Sequence, residues 1–328
     1  MVRYVTLSIL SILFVAGMTP AEEGDGGYAG SYFQIPIGAR PTALGGAYLA
    51  VSDDGAGPLF NPAGLADLKR PLFAASYRLL KLDRSLGYVT AMFPVRGNAA
   101  IGVNWLYTGA HDITMRDKNG TDLGIDLSFD HHAVGVVFAK RFEGYLSAAL
   151  KVNYLHATFA EMTAFSVSFD LGLMLYINQF VDRETRDLWP VQDFRVGVVV
   201  KHLAAKYRWN NHNYLIEFGD PSALSTEQDD KVPVEVGLGV SARFLERKLL
   251  VAADVLKNEK QGPFFHGGAE YLFVPEFAVR GGYSDGRFTA GAGFLFNVGK
   301  RLLAIDYAFS TDKVDEGSEH IFSMDFLF

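Results

Sequence analysis

The sequence of 328 residues contains no cysteine. Disulfide bonds, thiolate nucleophiles and cysteine-ligated metals are therefore excluded. Basic residues are few: 30 Lys and Arg stand against 37 Asp and Glu, the net charge is −7, and no basic run occurs. A nucleic-acid partner is therefore not expected, because it would need a basic patch. Long apolar runs are also absent, since no stretch after residue 21 reaches eighteen uninterrupted apolar residues.

The first 21 residues have the pattern of a secretory signal peptide. Arg3 supplies a positive charge, residues 4–15 are mostly apolar, and 19–21 end on a small residue at the cleavage position. The apolar run is too short to cross about 30 Å of hydrocarbon. We therefore predict Sec export and signal cleavage. The mature chain is then either soluble outside the cytoplasm or spans a membrane as strands.

From Pro71 onward the chain breaks into segments of about ten residues with period-two alternation, which is the pattern of membrane strands. Fourteen segments are predicted, near 72–80, 85–94, 98–108, 130–140, 144–157, 162–177, 192–202, 232–243, 247–256, 263–272, 275–283, 286–297, 300–310 and 319–328. No helical pattern longer than two turns interrupts them. This part of the chain is predicted to be all β.

The alternation has a direction. In the third segment Ile101, Val103 and Trp105 share one face, and Gly102 and Asn104 share the other. Large apolar residues on one face with small or polar residues on the other suit lipid outside and a wet lumen inside. The predicted fold is a 14-stranded antiparallel transmembrane β-barrel. Such a lumen is too wide for wall side chains alone, so a plug of about fifty residues is needed to close it. We predict a signal peptide at 1–21, a small helical hatch at 22–70 and the barrel at 71–328.

Loop lengths agree with this topology. Five of the six connections on one side are short, and two connections on the opposite side are long and polar, at 109–129 and 203–231. The short ones lie near 95–97, 141–143, 244–246, 273–274 and 298–299. One connection, 178–191, is long on the side where short ones are expected. Both termini are predicted on the periplasmic side.

The stretch 38–66 is rich in Gly, Ala and Pro. Asn61 can cap a turn by accepting a backbone N–H, and Pro62 then occupies the first helical position, where its missing donor costs nothing. With Ala63 and Gly64 these residues form an Asn-Pro-Ala-Gly motif. The whole stretch resembles the N-terminal hatch of FadL-type outer-membrane barrels, in particular the PorV/PorQ-like family, in which a plug carrying an Asn-Pro-Ala element sits inside a fourteen-stranded barrel.

The C-terminal third resembles the last strands of the PorV/PorQ-like family. The similar segments are 267–271 (GGAEY), 278–283 (AVRGGY), 289–294 (TAGAGF) and 305–308 (IDYA), and 198–208 (VVVKHLAAKYR) is similar to that family's seventh strand. The segment 320–328 ends in Phe328 after alternating apolar residues, and it looks like the C-terminal strand that the outer-membrane assembly machinery recognises. The resemblance implies a Gram-negative-type outer-membrane location.

Charged residues recur on the lumen face of neighbouring strands. The candidates for a lumen charge lattice are Asp170, Arg195, Glu270, Arg280 and Asp306. Glu270 and Asp306 could be read as paired acid/base carboxylates, but an ion-pair lattice that fills the barrel and holds the hatch is favoured. No companion nucleophile and no metal-ligand spacing is present. We therefore predict no enzymatic activity, no cofactor and no metal site.

Apolar hatch residues suggest a hydrophobic ligand. Leu44, Tyr48, Leu59 and Phe60 would suit such a ligand better than a sugar or an ion. The alternative is that they only pack the plug against the wall.

Two functions remain open. Resemblance to FadL implies binding or transport of long-chain fatty acids or similar hydrophobic molecules across the outer membrane. Resemblance to PorV and PorQ implies a barrel that docks cargo protein for type IX secretion, with secretion-system proteins as partners. FadL-like proteins build a capture groove partly from a long loop between strands five and six, whereas 158–161 is nearly a tight turn. The loop 203–231 could compensate with its apolar residues Tyr207, Trp209, Tyr214, Leu215 and Phe218.

Overall fold

The computed structural model describes residues 28–80, 84–181, 190–218, 222, 224–284, 286–311 and 317–328. Fourteen antiparallel strands form a closed barrel, in which each strand pairs with its neighbours in sequence and the first pairs with the last. The predicted number of strands is therefore confirmed. The predicted signal peptide lies outside the described residues. Among the described residues, no helix has the length and apolar character needed to cross a membrane.

The wall strands have the following bounds. They are β1 Leu72–Leu79, β2 Arg84–Val95, β3 Ala99–Arg116, β4 Asp122–Phe142, β5 Leu146–Phe159, β6 Met162–Tyr176, β7 Gln192–Leu203, β10 Glu235–Phe244, β11 Leu249–Asn258, β12 Phe264–Val274, β13 Phe277–Ser284, β14 Arg287–Val298, β15 Arg301–Thr311 and β16 Ser318–Leu327. Two further strands, β8 Lys206–Asn210 and β9 Glu227–Lys231, form a separate hairpin between β7 and β10.

The helices are few and short. Those before the barrel are η1 Ser31–Gln34, α1 Ala39–Ala43, α2 Gly57–Phe60 and η2 Pro62–Asp67; η3 Ile177–Phe180 follows β6, and α3 His212–Phe218 lies between β8 and β9. We call the barrel end that carries the β2–β3, β4–β5 and β10–β11 connections the turn end. The opposite end, which carries the β3–β4 connection and the β8–β9 hairpin, is the loop end.

Two predictions about the loop end are wrong. The segment 109–129 was expected to be a long loop, but β3 and β4 continue through it as a paired ribbon and leave only 117–121 as the turn. The segment 203–231 was also expected to be a loop, but it contains the β8–β9 hairpin and α3. Both stretches are rich in charged residues, which suggested loops, whereas cross-strand pairing outside the membrane tolerates such residues. In the connection 178–191, residues 182–189 lie outside the described part.

The two faces of the wall differ as predicted. Val103, Trp105, Phe165 and Ile305 are exposed on the outside, whereas Asn104 and its inward neighbours are buried. Trp105, Tyr107 and His132 contact one another on the outer surface near the loop end. Phe73 contacts both Phe93 and Phe328 near the turn end. Large apolar side chains between two aromatic girdles are what a lipid bilayer requires of a barrel, and the ring leaves no strand edge unpaired.

The lumen is filled by residues 28–70, which we call the plug. Near the loop end, Tyr32 and Ile37 of the plug pack with Leu86, Leu106 and Leu155 of the wall. Near the turn end, η2 packs its apolar residues on inward residues of β1 to β6. The helix α1 packs between Ala308 and Ile321. The core of this protein is therefore the contact between plug and wall.

Candidate ligand cavity and the plug that closes the lumen

The Asn61 side chain fixes a turn at the centre of the plug. It is fully buried, and its Oδ1 accepts a hydrogen bond from the backbone N–H of Ala63 at 3.0 Å, as the sequence predicted for a cap. Its Nδ2 also donates to the carbonyl of Leu49 at 2.9 Å and to the carbonyl of Leu173, in β6, at 3.0 Å. Pro62, Ala63 and Gly64 are buried beside it. One amide thus caps η2 and ties the plug to the wall.

Replacing Asn61 by alanine should loosen the plug without opening the ring of strands. Loss of the cap should lower the stability of the plug by about 0.5–2 kcal/mol. The Leu173 carbonyl also loses a hydrogen-bond donor. Small-solute leakage through proteoliposomes should rise, while heat-modifiable gel mobility should stay as in the parent. Leakage equal to that of the parent would mean that the motif is only a turn. Exposed Asn119, in the β3–β4 turn, is the matched position for an Asn→Ala control.

Plug and wall backbones touch where the wall has glycine. A Cβ added at Gly268 would lie 2.3 Å from the Leu44 carbonyl oxygen, and one at Gly282 would lie 2.3 Å from the Gly45 nitrogen. Distances below 3.0 Å are not sterically allowed. Gly45 itself has φ +65°, which side-chain-bearing residues rarely adopt. Glycine at these positions therefore allows main chain to lie directly on main chain.

Wall carboxylates hold backbone amides of the plug. Asp254 Oδ2 accepts from the N–H groups of Tyr48, at 2.6 Å, and Leu49, at 2.8 Å. On the other side of the lumen, Asp325 Oδ2 accepts from the N–H of Gly55 at 2.9 Å. Amides that no helix or sheet satisfies are paired in this way, because an unpaired buried donor is costly.

Three of the five predicted lattice residues are in direct contact. Arg280 lies 2.7 Å from Glu270 and 2.5 Å from Asp306. Arg40 of the plug joins them, because its Nε lies 2.7 Å from Glu270 and its Nη1 lies 2.5 Å from Asp53. The two arginines thus share one nearly buried carboxylate, and the network joins α1 to β12, β13 and β15.

Of the other two predicted lattice residues, Arg195 joins the same network and Asp170 belongs to a separate group. Arg243 makes the connection, because it lies 3.8 Å from Asp193 and 3.9 Å from Glu270. Arg195 pairs with Asp193 at 3.0 Å and lies 3.6 Å from Asp67 at the turn end. Asp170 lies 3.8 Å from Lys151 and accepts a hydrogen bond from the backbone N–H of His202 at 2.9 Å. Four of the five predicted lattice residues therefore belong to one network joined through Arg243, and Asp170 pairs separately with Lys151.

The four predicted ligand contacts pack the plug against its surroundings in this structure. Leu44 and Tyr48 are fully buried beside inward residues of β11, with Phe60 packed against them. Leu59 packs against the apolar cluster near the loop end. None of the four lines either of the two cavities described below. Their contact with a ligand stays a prediction.

A cavity of about 430 Å³ opens at the loop end. Its apolar and aromatic lining comes from β4 at the rim of the barrel, from both sides of the β5–β6 turn and from the β8–β9 hairpin. These residues are Phe129, His131, Phe159, Met162 and Trp209, with Asn211, Thr226, Gln228 and Asp230 supplying polar atoms. Trp209 was named from the sequence. Phe159 and Met162 were not predicted as ligand contacts, although the sequence places them on either side of a tight turn.

The floor of this cavity continues into the buried apolar cluster of the lumen. Trp209 packs against Tyr207, with ring centroids 6.0 Å apart. Tyr207 is buried, and its hydroxyl lies 3.1 Å from that of Tyr32 in the plug. His131 contacts both tyrosine rings edge-on. A chain of rings thus leads from the external cavity to the plug. The side chain of Phe218 lies outside the described part.

A second cavity, of about 420 Å³, opens at the turn end and has a different character. It is lined by charged residues from plug and wall, including Asp67, Arg141, Asp193, Arg195 and Arg247. Arg141 lies 2.6 Å from Asp67, and its guanidinium carbon lies 3.6 Å from the centre of the Tyr176 ring. The two ends of the lumen therefore differ: aromatic at the loop end and ionic at the turn end. No group of three or more potential metal ligands occurs among the described residues.

Fold and lumen together define a plugged fourteen-stranded membrane barrel with an aromatic external cavity. Solved structures share this fold. The chain matches the Ralstonia pickettii toluene transporter TbuX with a TM-score of 0.59 and 14% identity, over 89% of this chain and 98% of that one. The CymD monoaromatic hydrocarbon channel gives a TM-score of 0.60 and 12% identity over 89% and 96%.

A Pseudomonas aeruginosa FadL homologue is similar to the same extent. Its TM-score is 0.58 at 11% identity, over 90% of this chain and 98% of that one. No protein-family model matches the sequence, and no curated protein matches it either. The chain therefore has the fold of FadL-type outer-membrane channels, and its low identity to them limits that likeness to the fold.

Proposed function

We propose that this protein binds hydrophobic small molecules at the cell surface and passes them across the outer membrane. The observation that carries the proposal is the aromatic cavity at the loop end, which continues into a buried chain of rings. Apolar cavities of 300–1,000 Å³ with a few polar groups are typical ligand sites. Channels for toluene and monoaromatic hydrocarbons share the fold. The role is one of binding and passage, without covalent chemistry or a cofactor.

The charge of the cavity favours an uncharged ligand. Among the described residues that line it, none is Lys or Arg, whereas Asp230 contributes a carboxyl group. Burial raises the pKa of Asp230 above its ordinary value. A ligand carboxylate would meet no Lys or Arg among these residues and would lie near an acidic group, so its charge would not be paired. We therefore propose neutral hydrophobic compounds as the preferred class, ahead of fatty-acid anions.

Replacing Trp209 by alanine should weaken binding by about tenfold, since a truncated aromatic anchor typically costs 1 kcal/mol or more. The test uses parent and variant in lipid nanodiscs, with radiolabelled cis-parinaric methyl ester as the probe and empty nanodiscs subtracted. Trp105→Ala is the control, because Trp105 is exposed on the outer surface of the wall. The free acid at neutral pH should bind the parent more weakly than the ester.

Each arm of this test has an outcome against the proposal. Absence of saturable binding in the parent would overturn the function. Equal loss in the Trp209 and Trp105 variants would overturn the site. Tighter binding of the acid than of the ester would overturn the preference for neutral ligands and favour a fatty-acid role.

A second candidate function is supported by the similarity of the stretch 38–66 and the last five strands to the PorV/PorQ-like family. In this reading the barrel docks cargo protein for type IX secretion, and cargo should co-purify with it while the ester does not bind. For either function we propose an outer-membrane location, with lipid around the wall and the assembly machinery engaging Phe328. The Phe328 ring contacts Phe73, Phe326 and Arg301 at the girdle of the turn end.

A further inference from the structure

The β3–β4 ribbon extends well past the barrel wall. The partner of β4 on its other side, β5, ends opposite Phe129, and the pairing of β2 with β3 reaches Ala110. Among the described residues, the strand pairs of 111–128 are therefore with one another. From Phe129 to Ile125 the ribbon spans about 13 Å at 3.3–3.4 Å per residue, before a second irregularity at Gly124. A lone two-stranded ribbon has little stability in water unless one face is covered. Which face is apolar is therefore informative.

A bulge in β3 determines that face. Ala110 pairs with Phe129 and Ile113 pairs with Leu127, so β3 has one residue more than β4 between these pairs. Asp112, inside the bulge, has φ 57°, which turns the strand locally. Without the extra residue, the period-two alternation would place Ile113 on the face opposite Leu127. The bulge instead puts both apolar side chains on the same face.

That face continues the lumen side of the wall. On β4 the residues that face the lumen inside the barrel have odd numbers, including Ala133 and Val137, which are buried. Ile125, Leu127 and Phe129 have the same parity. Phe129 at the base lines the aromatic cavity. The opposite face carries Asp122, Asp126 and Ser128, which are exposed.

We propose that the face formed by Ile113, Ile125, Leu127 and Phe129, the loading face, binds the hydrophobic ligand first and delivers it to the cavity. This rests on the proposed function and adds a second, external contact surface to it. The occupant is a small molecule because the face is continuous with the cavity. It is also narrower than a protein interface, which takes about 800 Å² and 20–30 residues from each partner.

A delivery surface has a kinetic signature that distinguishes it from a binding pocket. The ligand enters and leaves the cavity over the same surface. Loss of that surface therefore slows association and dissociation by the same factor. The dissociation constant, which depends on the cavity, then stays unchanged. Loss of a pocket residue changes the dissociation constant mainly through the dissociation rate.

The test replaces the paired residues Ile113 and Leu127 by threonine in one double variant. Threonine is polar and favours strands, so the ribbon is retained. The matched control is the next pair, changed as Thr114→Ser with Asp126→Asn, which lies on the opposite face. Both are made in a Trp105→Phe, Trp189→Phe background, so that Trp209 is the one remaining tryptophan of the three. Stopped-flow energy transfer from Trp209 to cis-parinaric methyl ester then reports arrival at the cavity in nanodiscs.

We expect association and dissociation rates of the I113T/L127T variant to fall together by about fivefold, within the range seen for interface variants. The dissociation constant and the control variant should match the parent. Unchanged rates would overturn the loading face while leaving the function intact. A changed dissociation constant would show that the loading face is part of the binding pocket, and this would overturn its role in delivery. Conversion of a parent dimer to a monomer, seen by mass photometry, would make it an interface between copies. No energy transfer in the parent would instead refute the proposed function.

Discussion

Replacing Arg40 by alanine is expected to give the largest loss of plug stability, at most about 3–5 kcal/mol, because it removes one of the two arginines at buried Glu270 and the nearest cation of Asp53. Arg280 and Arg243 remain near these carboxylates. Arg40 lies 2.7 Å from Glu270 and 2.5 Å from Asp53, and Asp54 is 3.5 Å away. The ring of strands does not use these contacts, so the barrel should still fold. Leakage of arabinose in liposome swelling should rise well above that of the parent, with heat-modifiable mobility retained.

The control for Arg40 is Lys206→Ala. Lys206 pairs with Asp229 at 2.6 Å, but both side chains are 45% exposed, and exposed pairs contribute about 0–1 kcal/mol. Its removal should leave leakage unchanged. If Arg40→Ala leaks no more than Lys206→Ala, the ion pairs do not hold the plug.

Placing arginine at Val103 should impair assembly of the barrel itself. Val103 is 50% exposed on the outer face of β3. At mid-depth an arginine on the lipid side costs about 2–4 kcal/mol. The amount of heat-modifiable, membrane-inserted protein should fall.

The same change at Thr121, exposed in the β3–β4 turn outside the membrane, should be tolerated. Equal yields of Val103→Arg and Thr121→Arg would contradict the assignment of the outer face to lipid.

The wall could be predicted from the sequence because its signal is local. Alternation such as that of Ile101 to Trp105 depends on neighbours two residues apart, and lipid outside enforces it on every strand. The fourteen strands and the near-tight turn at 158–161 follow from this and agree with the structure. The same reasoning found the cap at Asn61, because a cap lies within three residues of its partner.

The ties between plug and wall could not be predicted in the same way. Asp254 and Tyr48 are 206 residues apart, and Gly55 and Asp325 are 270 residues apart. A lone lumen carboxylate gives no sign of which distant amide it will accept from. The bulge at Asp112 was missed for a related reason. One extra residue in a polar stretch looks like a loop until its partner strand is known.

The plug also lies against the point at which the ring of strands closes. The ring closes where β1 meets β16, and Ser76 and Ser323 face each other across that seam at 2.7 Å. Ser323 also accepts from the N–H of Ala39 at 2.7 Å, and Asp325 binds Gly55 beside it. The plug thus hydrogen-bonds to β16, the strand that pairs with β1 to complete the ring. Docking of the plug and closure of the ring therefore share contacts at the β1–β16 seam.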